Sequence, residues 1–113
     1  MGDTIFDKII RREIPATIVF EDDLCLAFRD VNPQAPVHIL LIPKQSHARL
    51  VDVPADGKAL LGHLLLKAAE IARKEGVGDA FRLVINNGAD VGQSVFHLHL
   101  HILGGRGFGW PPG

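Results

Sequence analysis

Near the C-terminus, apolar and polar positions alternate with a period of two through Phe96-His97-Leu98-His99-Leu100-His101-Ile102-Leu103. An extended chain sends successive side chains to opposite faces, so this run predicts a strand with His97, His99 and His101 on one side. Leu98, Leu100 and Ile102 then face a core on the other. At the opposite end, Ile5, Phe6, Ile9 and Ile10 fall at helical spacing behind the capping-box variant Thr4-Ile5-Phe6-Asp7, which predicts a short helix stopped by Pro15. Thr17–Glu21 and Cys25–Arg29, rich in β-branched and aromatic residues, predict a hairpin turned at Asp22-Asp23. After the proline-bearing loop Asp30–Pro36, Val37–Ile42 is apolar on both faces except for His38, which predicts a central strand. Beyond the connector Pro43–Pro54, Leu60, Leu61, Leu64, Leu65, Ala68, Ile71 and Ala72 recur at i, i+3 and i+4. They predict one long helix from Asp56 to Glu75, ended by Gly76 and Gly78. Phe81–Asn86 is a further strand. His63 in the helix and His47 in the connector read as surface or boundary residues.

Composition narrows the class. A chain of 113 residues, 47% of them hydrophobic, suits a single domain over residues 1–113 with 104–113 as a C-terminal tail. The 12 basic and 13 acidic residues leave a net charge of -1, which argues against nucleic-acid backbone or anionic membrane as partner and favours a small ligand. The lone Cys25 closes no disulfide within the chain and fits a reducing, cytoplasmic compartment. Met1-Gly2-Asp3-Thr4 leads straight into the amphipathic segment without a basic and then apolar region, so no signal peptide is expected. No apolar run approaches the roughly 20 residues of a membrane span.

Half of the chain's 6 histidines fall within the predicted strand and in register with its period, which a merely solvated face does not account for. Such a row suits three tasks. It could ligate a transition metal, it could supply nucleophilic or acid–base catalysis near neutral pH, or it could form a pH-sensing surface. The preceding loop, Asn86 to Ser94, carries Gly88 and Gly92, which permit φ > 0 and an anion-binding nest of N–H groups. That loop alone is a weak phosphate signal, because an Asn-Gly turn commonly just joins two strands. Its position next to the histidines, with Ser94 at the mouth of the His99 face, strengthens it. In the glycine- and proline-rich tail, Trp110 would be left in water unless it packs on something, such as a second subunit.

The chain resembles the histidine triad (HIT) family, and within it the Hint branch of purine nucleoside phosphoramidases. His97-Leu98-His99-Leu100-His101-Ile102-Leu103 matches the family signature, and the likeness extends through Asp3-Thr4-Ile5-Phe6, Gln34-Ala35-Pro36, Gly92-Gln93-Ser94, Leu103-Gly104-Gly105-Arg106 and Trp110-Pro111-Pro112-Gly113. The resemblance implies an α+β fold whose five-stranded antiparallel sheet, with one long and one short helix, pairs into a ten-stranded sheet in a homodimer. It implies His99 as nucleophile, supported by His38, His97, His101 and Ser94. Asn86, Gly92 and Ser94 would contact phosphate or its bridging atom, and Asp30 the ribose hydroxyls. Ile9, Ile18 and Phe28 would form the base pocket, Phe6, Gln93 and Val95 would also belong to the nucleotide site, and Trp110 would arrive from the partner. Ser46 departs from the histidine that relatives often carry in the connector.

The activity implied is hydrolysis of the P–N bond of nucleoside 5'-phosphoramidates, and of acyl-adenylates, through a nucleotidyl-histidine, with a purine nucleotide as ligand and with no cofactor or metal. His38 and His101 would relay a proton to the departing amine with help from Ser94. Two other readings stand beside it: a nucleotide-binding regulatory or scaffold protein with weak catalysis, and a zinc-binding His-x-His-x-His protein.

Overall fold

The Thr4 hydroxyl accepts the Asp7 N–H at 3.2 Å, and the Asp7 carboxylate accepts the Thr4 N–H at 2.8 Å. This reciprocal cap starts helix α1, Ile5–Ile10, as the sequence pattern predicts. Pro15 is not what stops it. Arg12 adopts φ 65°, and the N–H groups of Arg12 and Glu13 return to the carbonyls of Ile9 and Lys8, a Schellman closure built on arginine instead of glycine. The computed structural model describes residues 3–113. Met1 and Gly2, part of the stretch in which no leader is read, lie outside it.

Five strands follow, β1 Ile18–Glu21, β2 Cys25–Arg29, β3 Val37–Pro43, β4 Phe81–Val84 and β5 Leu100–Gly104, with the long helix α2, Lys58–Lys74, between β3 and β4. They form one antiparallel sheet in the order β1-β2-β3-β5-β4. The fold is α+β, and β3 is its central strand. Helix α2 begins two residues later than predicted, because Ala55–Gly57 forms a separate 3-10 turn, and Gly76 ends it at φ +82°.

The sheet buries both faces. Against α2 lie Cys25, Ala27, Ile39, Leu41, Leu98, Leu100 and Ile102, packed on Leu64, Ala68, Ile71 and Ala72. Leu65, assigned to the core by its spacing, is instead half-exposed beside exposed Leu66, since the buried stripe of α2 runs through Leu64 and Ala68. On the opposite face Phe6 and Ile9 of α1 cover Leu26, Phe28, Leu40 and Ile42.

The two β-strands flanking the loop are shorter than the sequence pattern predicts. β4 stops at Val84 and not at Asn86, and the β5 ladder begins only at Leu100, paired with Leu41. Two residues past Leu41 comes Pro43, which has no N–H to extend a ladder. Its carbonyl accepts the His97 Nε2–H at 2.8 Å, while the Leu98 N–H goes to the His47 carbonyl at 2.7 Å. His97 and His99 therefore sit in an irregular lead-in, and only His101 is in the strand.

Candidate active site

Four histidines meet on the α1 face of the sheet, and backbone groups of known polarity fix the proton on each of three of them. The Gln34 N–H donates to His38 Nδ1 at 3.0 Å. Neutral His38 therefore carries its proton on Nε2, 3.0 Å from His101 Nδ1. His101 accepts there and keeps its own proton on Nε2. His99 Nδ1 lies 2.8 Å from the His97 carbonyl and must be the protonated nitrogen, which leaves Nε2 with its lone pair. His97, with 0% exposure, anchors the group through Pro43. Its Nδ1 is buried without a hydrogen-bond partner, with Asp7 Oδ1 at 3.5 Å.

Burial keeps the working rings neutral. It lowers His38 below 6.5 against the opposing pull of the Asp30 carboxylate, and it lowers His99 likewise, with the hydrogen bond to the His97 carbonyl in opposition. His101 is pushed down to about 4 by burial and by its neighbours His99 and His38. Phe6 stands edge-on to His99, ring centroids 5.1 Å apart, and shields that ring from α1.

Hydrogen-bond polarity runs one way through this chain, from the Gln34 amide through His38 to His101. A backbone amide cannot release its proton, so His38 has none to replace what it would pass on. The arrangement makes His101 a fixed hydrogen-bond donor through Nε2 and is at odds with the relay expected of His38 and His101.

Gly88 and Gly92 do adopt positive φ, 107° and 105°. Four of the amides of the turn 88–93 are nevertheless used within it. The N–H groups of Val91 and Gln93 return to the Gly88 carbonyl, the Gly92 N–H goes to Ala89, and the Gly88 N–H goes to Gln93 Oε1. The Gly92 amide is thus unavailable to a phosphate. Gln93 is buried, and its amide nitrogen donates to the carbonyls of Ala48 and Val95, so its side chain braces the loop and has no group left for a ligand. Beyond the closed turn, the amides of Ser94 and Val95 donate to no described residue. Asn86 is half-buried at the loop's start.

The remaining candidates gather around this face. Phe6, Ile9 and Phe28 are at most 6% exposed, so they back an apolar wall whose accessible edge is Ile18 and Val95. Asp30 uses Oδ1 to accept the Asn32 N–H, and its Oδ2 lies 3.4 Å from His38 Nε2. Trp110 is 84% exposed, out on the tail. An open cleft of about 860 Å³, bounded by Thr4, Ser46, Ala48, Ser94, Val95 and Phe96 among others, has none of the histidines in its lining. Sequence reasoning missed the Gln34 amide and the Pro43 carbonyl, main-chain groups that leave no signature in side-chain pattern, and read Asp7 as a helix cap alone.

Asp30, His38 and His101 present donor atoms within 4.8 Å of one another, as a metal site would. The proton assignment opposes this use. With Nδ1 accepting from Gln34, His38 cannot also offer a lone pair at Nε2 while neutral.

An α+β protein with a row of neutral imidazoles ordered by main-chain groups is the class that fold and site define. The chain belongs to the HIT family: the HIT domain model matches residues 11–108. An uncharacterized HIT-like protein of Synechocystis sp. is 74% identical over 111 residues, 98% of this chain and 97% of that protein. The 14 kDa zinc-binding protein of Zea mays is 53% identical over 112 residues, 97% of this chain and 88% of that protein. Among solved structures, a HIT family hydrolase from Legionella pneumophila superposes with a TM-score of 0.94 at 51% identity, covering 96% of this chain and 98% of that one. A histidine triad protein from Clostridium difficile gives 0.90 at 44% identity, covering 96% of each chain.

Proposed function

We propose that this chain is a nucleoside phosphoramidate hydrolase of the Hint branch, active as a homodimer on purine nucleotides joined to an amine, and on acyl-adenylates. The observation that carries the reading is His99: buried, neutral, held by its Nδ1–H on the His97 carbonyl, and left with a bare nitrogen at Nε2. That nitrogen attacks the α-phosphorus, the bond from phosphorus to the amine breaks, and a nucleotidyl-histidine forms. The departing nitrogen gains a proton from water by way of the hydroxyl of Ser94, an exposed residue. Water then cleaves the phosphorus–His99 bond, releasing nucleoside monophosphate and restoring the ring.

Developing charge on the phosphoryl oxygens needs donors that do not reorient. The Nε2–H of His101 and the amides of Ser94 and Val95 meet that need, and fixed donors in a dry site stabilise such charge more than mobile water does. Asp30 Oδ2 takes the ribose hydroxyls, Asn86 the phosphate edge, and the Ile18–Val95 edge the base.

The dimer is supported by β4, an unpaired edge of the sheet, and by the exposed apolar residues Leu65, Leu66 and Trp110. Pairing of β4 with its twin would make the sheet ten-stranded and bring Trp110 to the partner's site. No helix among the described residues is long and apolar enough to cross a membrane, and the lone Cys25 suits the cytoplasm.

Turnover of an adenosine 5'-phosphoramidate, measured beside AMP affinity, tests the reading. Release of the amine with AMP as product supports it. Tight AMP binding without turnover would favour the regulatory or scaffold reading. The name of the maize relative raises zinc at the triad as a second reading, and the proton order at His38 counts against it.

A further inference from the structure

On the α2 face of the sheet, away from the triad, three side chains of different chemistry converge. Asp22 lies in the β1–β2 turn, Cys25 opens β2 and His63 is in α2. One donor atom from each lies within 4.8 Å of the other two. We propose that Asp22, Cys25 and His63 form a binding site for a divalent transition ion, zinc above all, separate from the catalytic histidines.

The carboxylate is already oriented for such a task. Its Oδ1 accepts the N–H groups of Leu24 and Cys25, both at 2.8 Å, which leaves Oδ2 turned toward His63 Nε2 at 2.7 Å. Two backbone N–H donors on one carboxylate oxygen and the His63 ring on the other fix the plane of the carboxylate toward the cluster. His63 comes from a rigid helix, and the side chains of Asp22 and His63 are each 26% exposed, which gives an ion a way in and water a fourth position.

Thiolate, imidazole and carboxylate together suit zinc, with bonds of about 2.0 Å to nitrogen and oxygen and about 2.3 Å to sulfur. A tetrahedron with such bonds has edges of about 3.3 Å, so a small rotation of His63 and Asp22 apart admits the ion. One thiolate and one carboxylate neutralise its charge, which suits a position beside the core. The ligand is the thiolate, so binding replaces the thiol proton of Cys25: the S–H bond breaks, an S–metal bond forms, and one proton leaves to solvent. His63 moves its own proton to Nδ1 as Nε2 takes the ion.

Cobalt(II) is the probe. Cys25 is the only cysteine in the chain, so a thiolate-to-cobalt charge-transfer band can arise nowhere else. Chelator-treated, folded protein titrated with cobalt is expected to develop that band at one equivalent and lose it when zinc is added. His63→Gln, on the partly exposed helix face, should weaken cobalt binding at least tenfold, whereas His101→Gln should leave it unchanged. Absence of the band in the folded wild-type protein, or a band indifferent to His63→Gln, would overturn the proposal.

Discussion

At the scale of single residues, the account rests on where four imidazoles keep their protons. His99→Gln removes the proposed nucleophile while preserving size, and turnover should fall on the order of 10⁴-fold or more. AMP affinity, measured by calorimetry, should change little. The same rings predict how stability follows pH. His101 titrates at about 4 in the fold against 6.5 in the unfolded chain, so between those values the unfolded state binds more protons. Its contribution is complete above pH 6.5 and is lost as pH falls toward 4. Thermal unfolding should show Tm declining through that window, and His101→Gln should flatten the decline. The alternation His97-Leu98-His99-Leu100-His101 made the shared face legible from the chain alone. The proton order was not legible, because it depends on the Gln34 amide and the His97 carbonyl, whose positions come from the fold.

At the scale of elements, the loop between β4 and β5 differs most from its sequence reading. Glycines at 88 and 92 announced positive φ correctly. They did not reveal that the turn uses the Gly88, Val91, Gly92 and Gln93 amides itself, because that depends in part on the Gln93 side chain reaching back across it. Gln93→Leu would leave the Gly88 N–H and the carbonyls of Ala48 and Val95 unpaired. A loss of about 1–3 kcal/mol is expected, read from the midpoint of urea unfolding, together with slower turnover as Ser94 and Val95 lose their support. Strand and helix identities were readable throughout, since period-two and period-3.6 patterns are local. The misplaced limits have local causes too: the Schellman closure at Arg12 acts before Pro15 can, and Pro43 ends a ladder that the histidine alternation alone would extend to Phe96.

At the scale of the whole molecule, the proposed homodimer would pair the β4 edge with its twin and cover the exposed Trp110. Sedimentation equilibrium should report twice the chain mass. Trp110→Ala should keep that mass yet raise KM for a bulky amine substrate roughly fivefold, equivalent to about 1 kcal/mol. A monomer at micromolar concentration would count against the shared site. The two sheet faces carry different clusters, with the triad under α1 and Asp22, Cys25 and His63 under α2. Asp22 and Cys25 are neighbours in one turn, but His63 reaches them only through the packing of α2 on β2, which leaves no local signature in the chain. The most direct test of the central claim is the intact mass of the protein, quenched in acid-free denaturant within one turnover of mixing with adenosine 5'-phosphoramidate. The account predicts one adenylyl group per chain, located on His99 by fragmentation and absent from His99→Gln. A protein that turns over substrate at full rate yet carries no adduct, or carries it on another residue, would contradict it.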